Sequence, residues 1–147
     1  MQGLPLKKRT LTPWIGIDAS FVPVGLAGFV YLVTNVLTSK AYIGKKFFWA
    51  KTHKKVKGKK RRKLIVKESD WRTYRSSSDG LKRVIDEQGL ESFRFEILSL
   101  HRTRAQVNYE EIRQQFIRDV LYSKLDSGDF AYLNLCILNR YYRGKTK

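Results

Sequence analysis

The chain has 147 residues, 42% of them hydrophobic and 13% aromatic, so one domain with a real core is expected and a disordered tail is excluded. Lysine and arginine number 30 against 13 acidic residues, a net charge of +17, which favours a polyanionic partner, nucleic acid above all. A single cysteine, Cys136, excludes an internal disulfide, and no Cys/His spacing suggests a zinc site. Charge by itself does not separate an enzyme from a basic structural component of a larger particle.

Residues 1–27 begin basic and continue apolar, a pattern shared with signal peptides. The run from Ala19 to Val33 is fifteen residues long and is broken by Pro23, Gly25 and Gly28. That is short of the ~20 apolar residues a membrane helix needs, so no membrane partner is expected. Residues 1–27 are expected to form an extension packed on or near a domain spanning 28–147.

From Gly28 onward, FVYLVT and AYIGKK are β-branched and aromatic and flank the polar stretch NVLTSK, which predicts a β-hairpin. Between Lys51 and Lys67 ten of seventeen residues are basic and none is acidic. A turn at Lys57-Gly58 and the strand-like LIVK after it predict a second, basic hairpin inserted over about 50–69, with a disordered loop as the alternative. Like charges at this density repel, and a phosphate backbone would relieve the repulsion. Lys54, Lys55, Lys57, Lys59, Lys60, Arg61, Arg62 and Lys63 are therefore candidate nucleic-acid contacts, with Arg75 further along.

Asp70 can cap a short turn carrying Trp71, Arg72 and Arg75. Ser78 or Asp79 can cap a helix in which Leu81, Val84 and Ile85 share a face and which Gly89 ends. FRFEILSL alternates Phe93, Phe95 and Ile97 with Arg94 and Glu96, predicting a third strand. The longest helical pattern is TRAQVNYEEIRQQFIRDVLYSKL, with Tyr109, Ile112, Phe116 and Val120 in one stripe that Ile117 and Leu121 widen. The tail is expected to pack back on the sheet with Cys136 as a buried, inert thiol, leaving Arg140, Arg143 and Lys145 exposed. The order β-β-(basic insert)-α-β-α implies an α/β (α+β) fold: a small sandwich whose three-stranded, mostly antiparallel sheet is flanked by helices.

With these elements in place the chain resembles the GIY-YIG nucleases. FVY at 29–31 and YIG at 42–44 match that family's paired signature at its spacing. A third strand, a helix carrying a glutamate and YLN at 132–134 follow in the family's order. The resemblance spans roughly residues 28–140. Through YIGKKFFW, DWRTYRSSS and NYEEIRQQFIRDVL it is strongest toward the small phage-encoded, Seg-like homing endonucleases.

The resemblance implies a metal-dependent DNA endonuclease with one Mg²⁺ (or Mn²⁺) per site, acting in the cytoplasm, the host cell's if the gene is a phage's. It implies that Tyr31 helps deprotonate the attacking water and that Tyr42 holds the water or the phosphate. Gly44 would leave room for the DNA backbone, a glutamate on the long helix would bind the ion, and Asn134 would support the metal side or pin the tail. Glu110 and Glu111 both stay open as the ligand: Glu111 fits the family's pattern, while on a helical wheel Glu110 lies nearer the edge of the apolar stripe. The family usually places an arginine, then a histidine or tyrosine, within two turns of YIG. Here basic and aromatic residues run on, so the transition-state cation falls to Lys46, Arg72 or Arg75, with Arg72 favoured and then Lys46.

The chemistry fits such a set. A phosphodiester anion repels hydroxide, so hydrolysis needs a cation on a non-bridging oxygen, a base and help for the leaving alkoxide. A phenol of pKa near ~10 is a poor base unless a cation lowers it. No separate recognition module is visible, so specificity is expected from the insert, the extension and the tail. A flexible lysine-rich arm mostly contacts phosphates, so weak sequence preference is expected, with a homodimer as one route to double-strand cleavage. The alternative on the same fold is a non-catalytic basic DNA-binding protein.

Overall fold

The computed structural model describes residues 14–144; residues 1–13 of the expected extension, and Lys145, lie outside them. In chain order the elements are β1 (Trp14–Ile15), β2 (Gly28–Asn35), β3 (Ala41–Phe47), β4 (Trp49–Lys54), β5 (Lys63–Glu68), α1 (Asp79–Gln88), β6 (Phe93–His101), α2 (Arg104–Ile117), β7 (Cys136–Ile137) and β8 (Tyr141–Tyr142). This is the α+β class read from the sequence, with its order of elements intact.

The main sheet runs β1-β6-β2-β3. β2 is antiparallel to both neighbours, and β1 is parallel to β6. The three anticipated strands are thus joined by a fourth, drawn from the segment expected to be an extension. Trp14 is only 3% exposed. Its ring packs edge-on against Phe29 and Phe95, and its indole N–H donates to the Trp71 carbonyl at 2.8 Å. A two-residue strand has no periodicity to read, and burial of one large indole is what fixes it in place.

Both faces of the sheet are covered. On one, Phe29, Tyr31 and Val33 of β2 pack with Phe93 and Phe95 of β6, Trp71, and Leu81 and Ile85 of α1. On the other, Val30 and Ile43 pack with Val107 of α2 and with Val120, Leu121 and Ile137 after it. The termini of α1 follow the sequence reading. The Ser78 hydroxyl accepts from the Leu81 N–H at 3.2 Å, and Gly89, at φ +88°, closes the helix by donating to the Ile85 carbonyl.

α2 departs from the expected stripe. Tyr109 and Phe116 are 70% and 53% exposed, and Ile117 is exposed as well. The buried positions are Val107 and Gln115, with Glu111 between them on the same face and also largely enclosed. This face lies over β3, where the Gln115 amide reaches the Ile43 carbonyl at 3.4 Å. Of the expected stripe Ile112 does pack, partly buried, against the core, but a face that also carries two polar side chains gives little apolar period, so the exposed aromatics dominate the pattern. Val120 and Leu121 are buried, but they follow the end of the helix. Among the described residues no helix is long and apolar enough to cross a membrane.

β3 is an edge strand, and its open side is closed by the tail. The Ala41 N–H donates to the Ala131 carbonyl at 2.9 Å, and the Leu133 N–H donates to the Ala41 carbonyl at 2.8 Å. One step on, the Asn134 side chain takes over: its Oδ1 accepts from the Ile43 N–H at 3.0 Å and its Nδ2 donates to the Ile43 carbonyl at 2.9 Å. Arg143, expected to be exposed, instead donates to the carbonyls of Val120, Tyr132 and Leu121 and ties the tail to the end of α2.

β4 and β5 form a separate two-stranded ribbon, the hairpin reading of the basic insert. Its turn lies at Lys57-Gly58, with Gly58 at φ +82°. Phe48, fully buried, anchors the root, and the Trp49 indole donates to the Leu26 carbonyl at 2.8 Å.

Trp14→Ala should cost about 3–5 kcal/mol in urea unfolding, the usual range for truncating a buried tryptophan. A loss below about 1 kcal/mol would show that the segment before Gly28 is not part of the core.

Candidate active site

Because β3 is an edge strand, residues from both of its faces can meet at one opening. Alternation sends Tyr42, Gly44 and Lys46 to the α1 face and Ile43 and Lys45 to the α2 face. At the edge lies a cleft of about 490 Å³ whose lining includes Tyr42, Lys45, Ser77, Glu111, Asn134 and Cys136.

Glu111 comes to this cleft from α2. Its carboxylate lies 3.5 Å from the Lys45 ammonium, which also donates to Asn108 Oδ1 at 2.6 Å. Burial pushes the Glu111 carboxyl above the usual carboxylate range, and Lys45 offsets only part of that. Glu110 points elsewhere. It is held by Arg113 at 2.8 Å and Gln114 at 2.7 Å, and it borders a different hollow beside His101. The hydrogen bond from Gln114, and then Arg113, holds its carboxyl low. Of the two glutamates left open by the sequence, Glu111 therefore faces the cleft and Glu110 does not.

Tyr31 sits directly across from Gly44 in the β2–β3 register and is 1% exposed. A methyl group at Gly44 would stand 2.5 Å from Tyr31 Cζ. The space a side chain would take at Gly44 is filled by this phenol. Tyr31 Oη lies 3.5 Å from Tyr74 Oη, the Tyr31 and Tyr74 rings meet edge-on at 6.0 Å, and the Tyr31 and Tyr42 ring centres are 6.3 Å apart. Three phenols thus cluster at the edge of the sheet, with Tyr42 on the cleft. Burial raises Tyr31 well above the ordinary phenol range and also raises Tyr42, against which a hydrogen bond from Ser77 acts.

Residues 14–137 match the family model described as "Putative endonuclease segE, GIY-YIG domain". The chain belongs to the GIY-YIG family. The match begins at Trp14, the residue that opens the main sheet. No curated protein and no solved structure matches the chain.

Within this GIY-YIG domain the expected cations are placed differently from the sequence reading. Arg72 stacks on Trp71 and donates to the Phe21 carbonyl at 2.7 Å and to Glu68 at 3.1 Å, so it braces the ribbon root and does not line the cleft. Lys46 pairs with Asp70 at 2.7 Å and lies 4.1 Å over the Tyr74 ring. Arg75, half-buried over Phe95, donates to the carbonyls of Thr73 and Tyr74 and so holds its own loop rather than presenting itself to a phosphate. The basic residue on the cleft is Lys45. Period-two alternation along AYIGKK could have found it, since it places Lys45 opposite Tyr42 and toward the helix.

Asn134 spends its amide on both backbone groups of Ile43 and so pins the tail, one of the two roles the resemblance implies for it. Cys136, expected to be buried, is half-buried in the cleft wall, because β7 has only two residues and pairs solely with the exposed β8. In the sequence Ser77 is open to phosphate contact or to a capping or solvent role, and it lines the cleft; Tyr74 has no signal beyond its place in the turn before RSSS. Lys54, Lys55, Lys57, Lys59, Lys60, Arg61, Arg62 and Lys63 are all exposed on the ribbon and its turn.

A carboxyl whose pKa is raised on folding favours the folded state only while protonated, and the contribution is lost as pH rises through the folded pKa. Glu111→Gln should therefore gain melting temperature over the parent as pH rises above the ordinary carboxylate range, and the gain should vanish below it. A variant that melts lower at neutral pH would contradict the burial of this charge. Gly44→Ala should cost about 1–3 kcal/mol in chemical unfolding, since the Tyr31 ring must move. An unchanged stability would place that ring elsewhere.

Proposed function

We propose that this GIY-YIG protein is a divalent-metal-dependent endonuclease that hydrolyses phosphodiester bonds in DNA. What carries the reading is the meeting of Tyr42, Lys45 and Glu111 at one cleft, on a strand that runs on into a ribbon of exposed lysine and arginine.

Glu111 would hold the ion, a single Mg²⁺ or Mn²⁺. The donor set suits it: one half-buried carboxylate in an open cleft, since Mg²⁺ keeps several waters and takes one or two carboxylates together with substrate phosphate. When bound, the ion would supply positive charge to a non-bridging phosphate oxygen. Lys45 holds the Glu111 carboxylate in place and adds a second positive charge at the cleft. Burial raises the Tyr42 and Tyr31 phenols from the ordinary phenol value and so favours their neutral form further. Tyr42 therefore enters as a hydrogen-bond donor that holds the attacking water or the phosphate, and Tyr31 supports it from behind through the phenol cluster. The ribbon holds the polyanion by its phosphates, an attraction that weakens steeply with salt. The resemblance to Seg-like endonucleases supports a homing-type role in the cytoplasm of a phage-infected host, with a homodimer bringing two clefts to two strands.

Supercoiled plasmid should be nicked in Mg²⁺ and left intact in EDTA. Glu111→Gln should lower the rate at least ~100-fold and Tyr42→Phe ~10-fold or more, the scale on which groups at the reacting atoms act, while Glu110→Gln stays within about 3-fold of the parent. Nicking that persists in Glu111→Gln and Tyr42→Phe alike would overturn the assignment.

A further inference from the structure

The ribbon has features that phosphate contact alone does not require. Residues 51–55 and 57–64 are all exposed. The pairs Lys51↔Val66 and His53↔Leu64 share one face, and Thr52↔Ile65 and Lys54↔Lys63 share the other. Leu64 and Val66 are 50% and 51% exposed, well away from either core cluster. An arm made only to touch phosphates would put polar side chains there, because exposed aliphatics gain nothing from water or from a phosphate oxygen.

The root of the ribbon is closed tightly. The Ser69 N–H donates to the Phe48 carbonyl and the Ser69 hydroxyl to the Phe47 carbonyl, each at 2.7 Å, and Lys46 pairs with Asp70 across the base. The ribbon leaves directly from β3, which carries Tyr42 and Lys45, and returns into the loop that carries Tyr74 and Ser77. It is therefore based between the two segments that build the cleft.

A two-stranded ribbon fits the major groove, about 12 Å wide and about 8.5 Å deep, and is too broad for the minor groove of about 6 Å. In that groove the cations meet the phosphate walls, while branched aliphatics meet the thymine methyl groups on the floor. We propose that the ribbon enters the major groove of duplex DNA and that Leu64 and Val66 read thymine-bearing base pairs. Sequence preference is then built into the arm, in contrast to the weak preference expected of a flexible one. Only the position of the cut rests on the nuclease reading. Six residues per strand reach about 20 Å from the root, so the base pairs read lie within about one helical turn, ~10 base pairs, of the scissile phosphate.

The test separates binding from cutting. Full-length Glu111→Gln protein in EDTA is used to select bound duplexes from a randomised library, and the parent protein in Mg²⁺ is mapped for cut positions. The expected result is an enriched motif containing thymine, cut within ~10 base pairs to one side. Replacing those thymines by deoxyuridine should weaken binding at least ~3-fold. Leu64→Ser with Val66→Ser should flatten the motif while binding to random duplex stays within about 3-fold. Replacing Lys59, Lys60, Arg61 and Arg62 by glutamine should weaken all duplexes alike and make the salt dependence shallower by up to ~4 in slope. Absence of a motif, a motif unchanged by the Leu64/Val66 double substitution, or single strands bound as tightly as duplex would each overturn the proposal. A motif that depends on Leu64 and Val66 in a protein that never cuts would sustain it while the nuclease reading falls.

Discussion

An asparagine amide that stands in for a missing strand holds this site together. β3 lies at the edge of the sheet, where its N–H and C=O groups would otherwise be open. Asn134 satisfies both groups of Ile43 at once, and residues 131–133 pair just upstream of it. The arrangement costs little, because a primary amide offers a donor and an acceptor in the spacing of a peptide group. Removing it would strand a buried donor, which costs about 1–3 kcal/mol. It also keeps the edge thin. A full strand laid against β3 would bury the opening through which Tyr42 and Glu111 meet.

From that edge the chemistry of the site follows by alternation. One strand face delivers Tyr42 and the gap at Gly44, and the other delivers Lys45 to Glu111. The gap is needed because Tyr31, from the neighbouring strand, passes across it to reach Tyr74. The serines after Tyr74 divide their work. The Ser76 hydroxyl accepts from the Ser78 N–H at 2.9 Å, Ser77 lines the cleft and lowers Tyr42 against its burial, and Ser78 caps α1. The helix start and the phenols are thereby fixed by one short loop, whose upstream end is the root of the ribbon.

How much of this the sequence disclosed depends on whether a feature has local cause. The β2–β3 hairpin, the basic ribbon with its turn at Gly58, and the two ends of α1 were legible because period, turn chemistry and caps are local. Tyr42, Glu111 and Asn134 were legible as cleft residues through the resemblance, with Glu110 left beside Glu111 because adjacent helix positions differ by ~100° and only packing decides which points in. The buried stripe of α2 was not legible, since its inward face carries Glu111 and Gln115 while Tyr109 and Phe116 face out. Arg72 looked like the site's cation because it follows the insert, but its guanidinium has carbonyl and carboxylate partners that appear only once the ribbon is folded. Trp14 belonged to the core through a contact with β6, about eighty positions away in the chain, a distance no window reaches.

On the proposed reading Tyr42 and Lys45, from opposite faces of one edge strand, would serve a single ion held by Glu111. The most direct measurement is an anomalous difference map from crystals of the protein with a DNA duplex and Mn²⁺. One peak is expected about 2.0–2.2 Å from a Glu111 carboxylate oxygen, in the cleft that Tyr42 and Lys45 line. A peak at Glu110 beside His101, or full metal occupancy with none at Glu111, would contradict it.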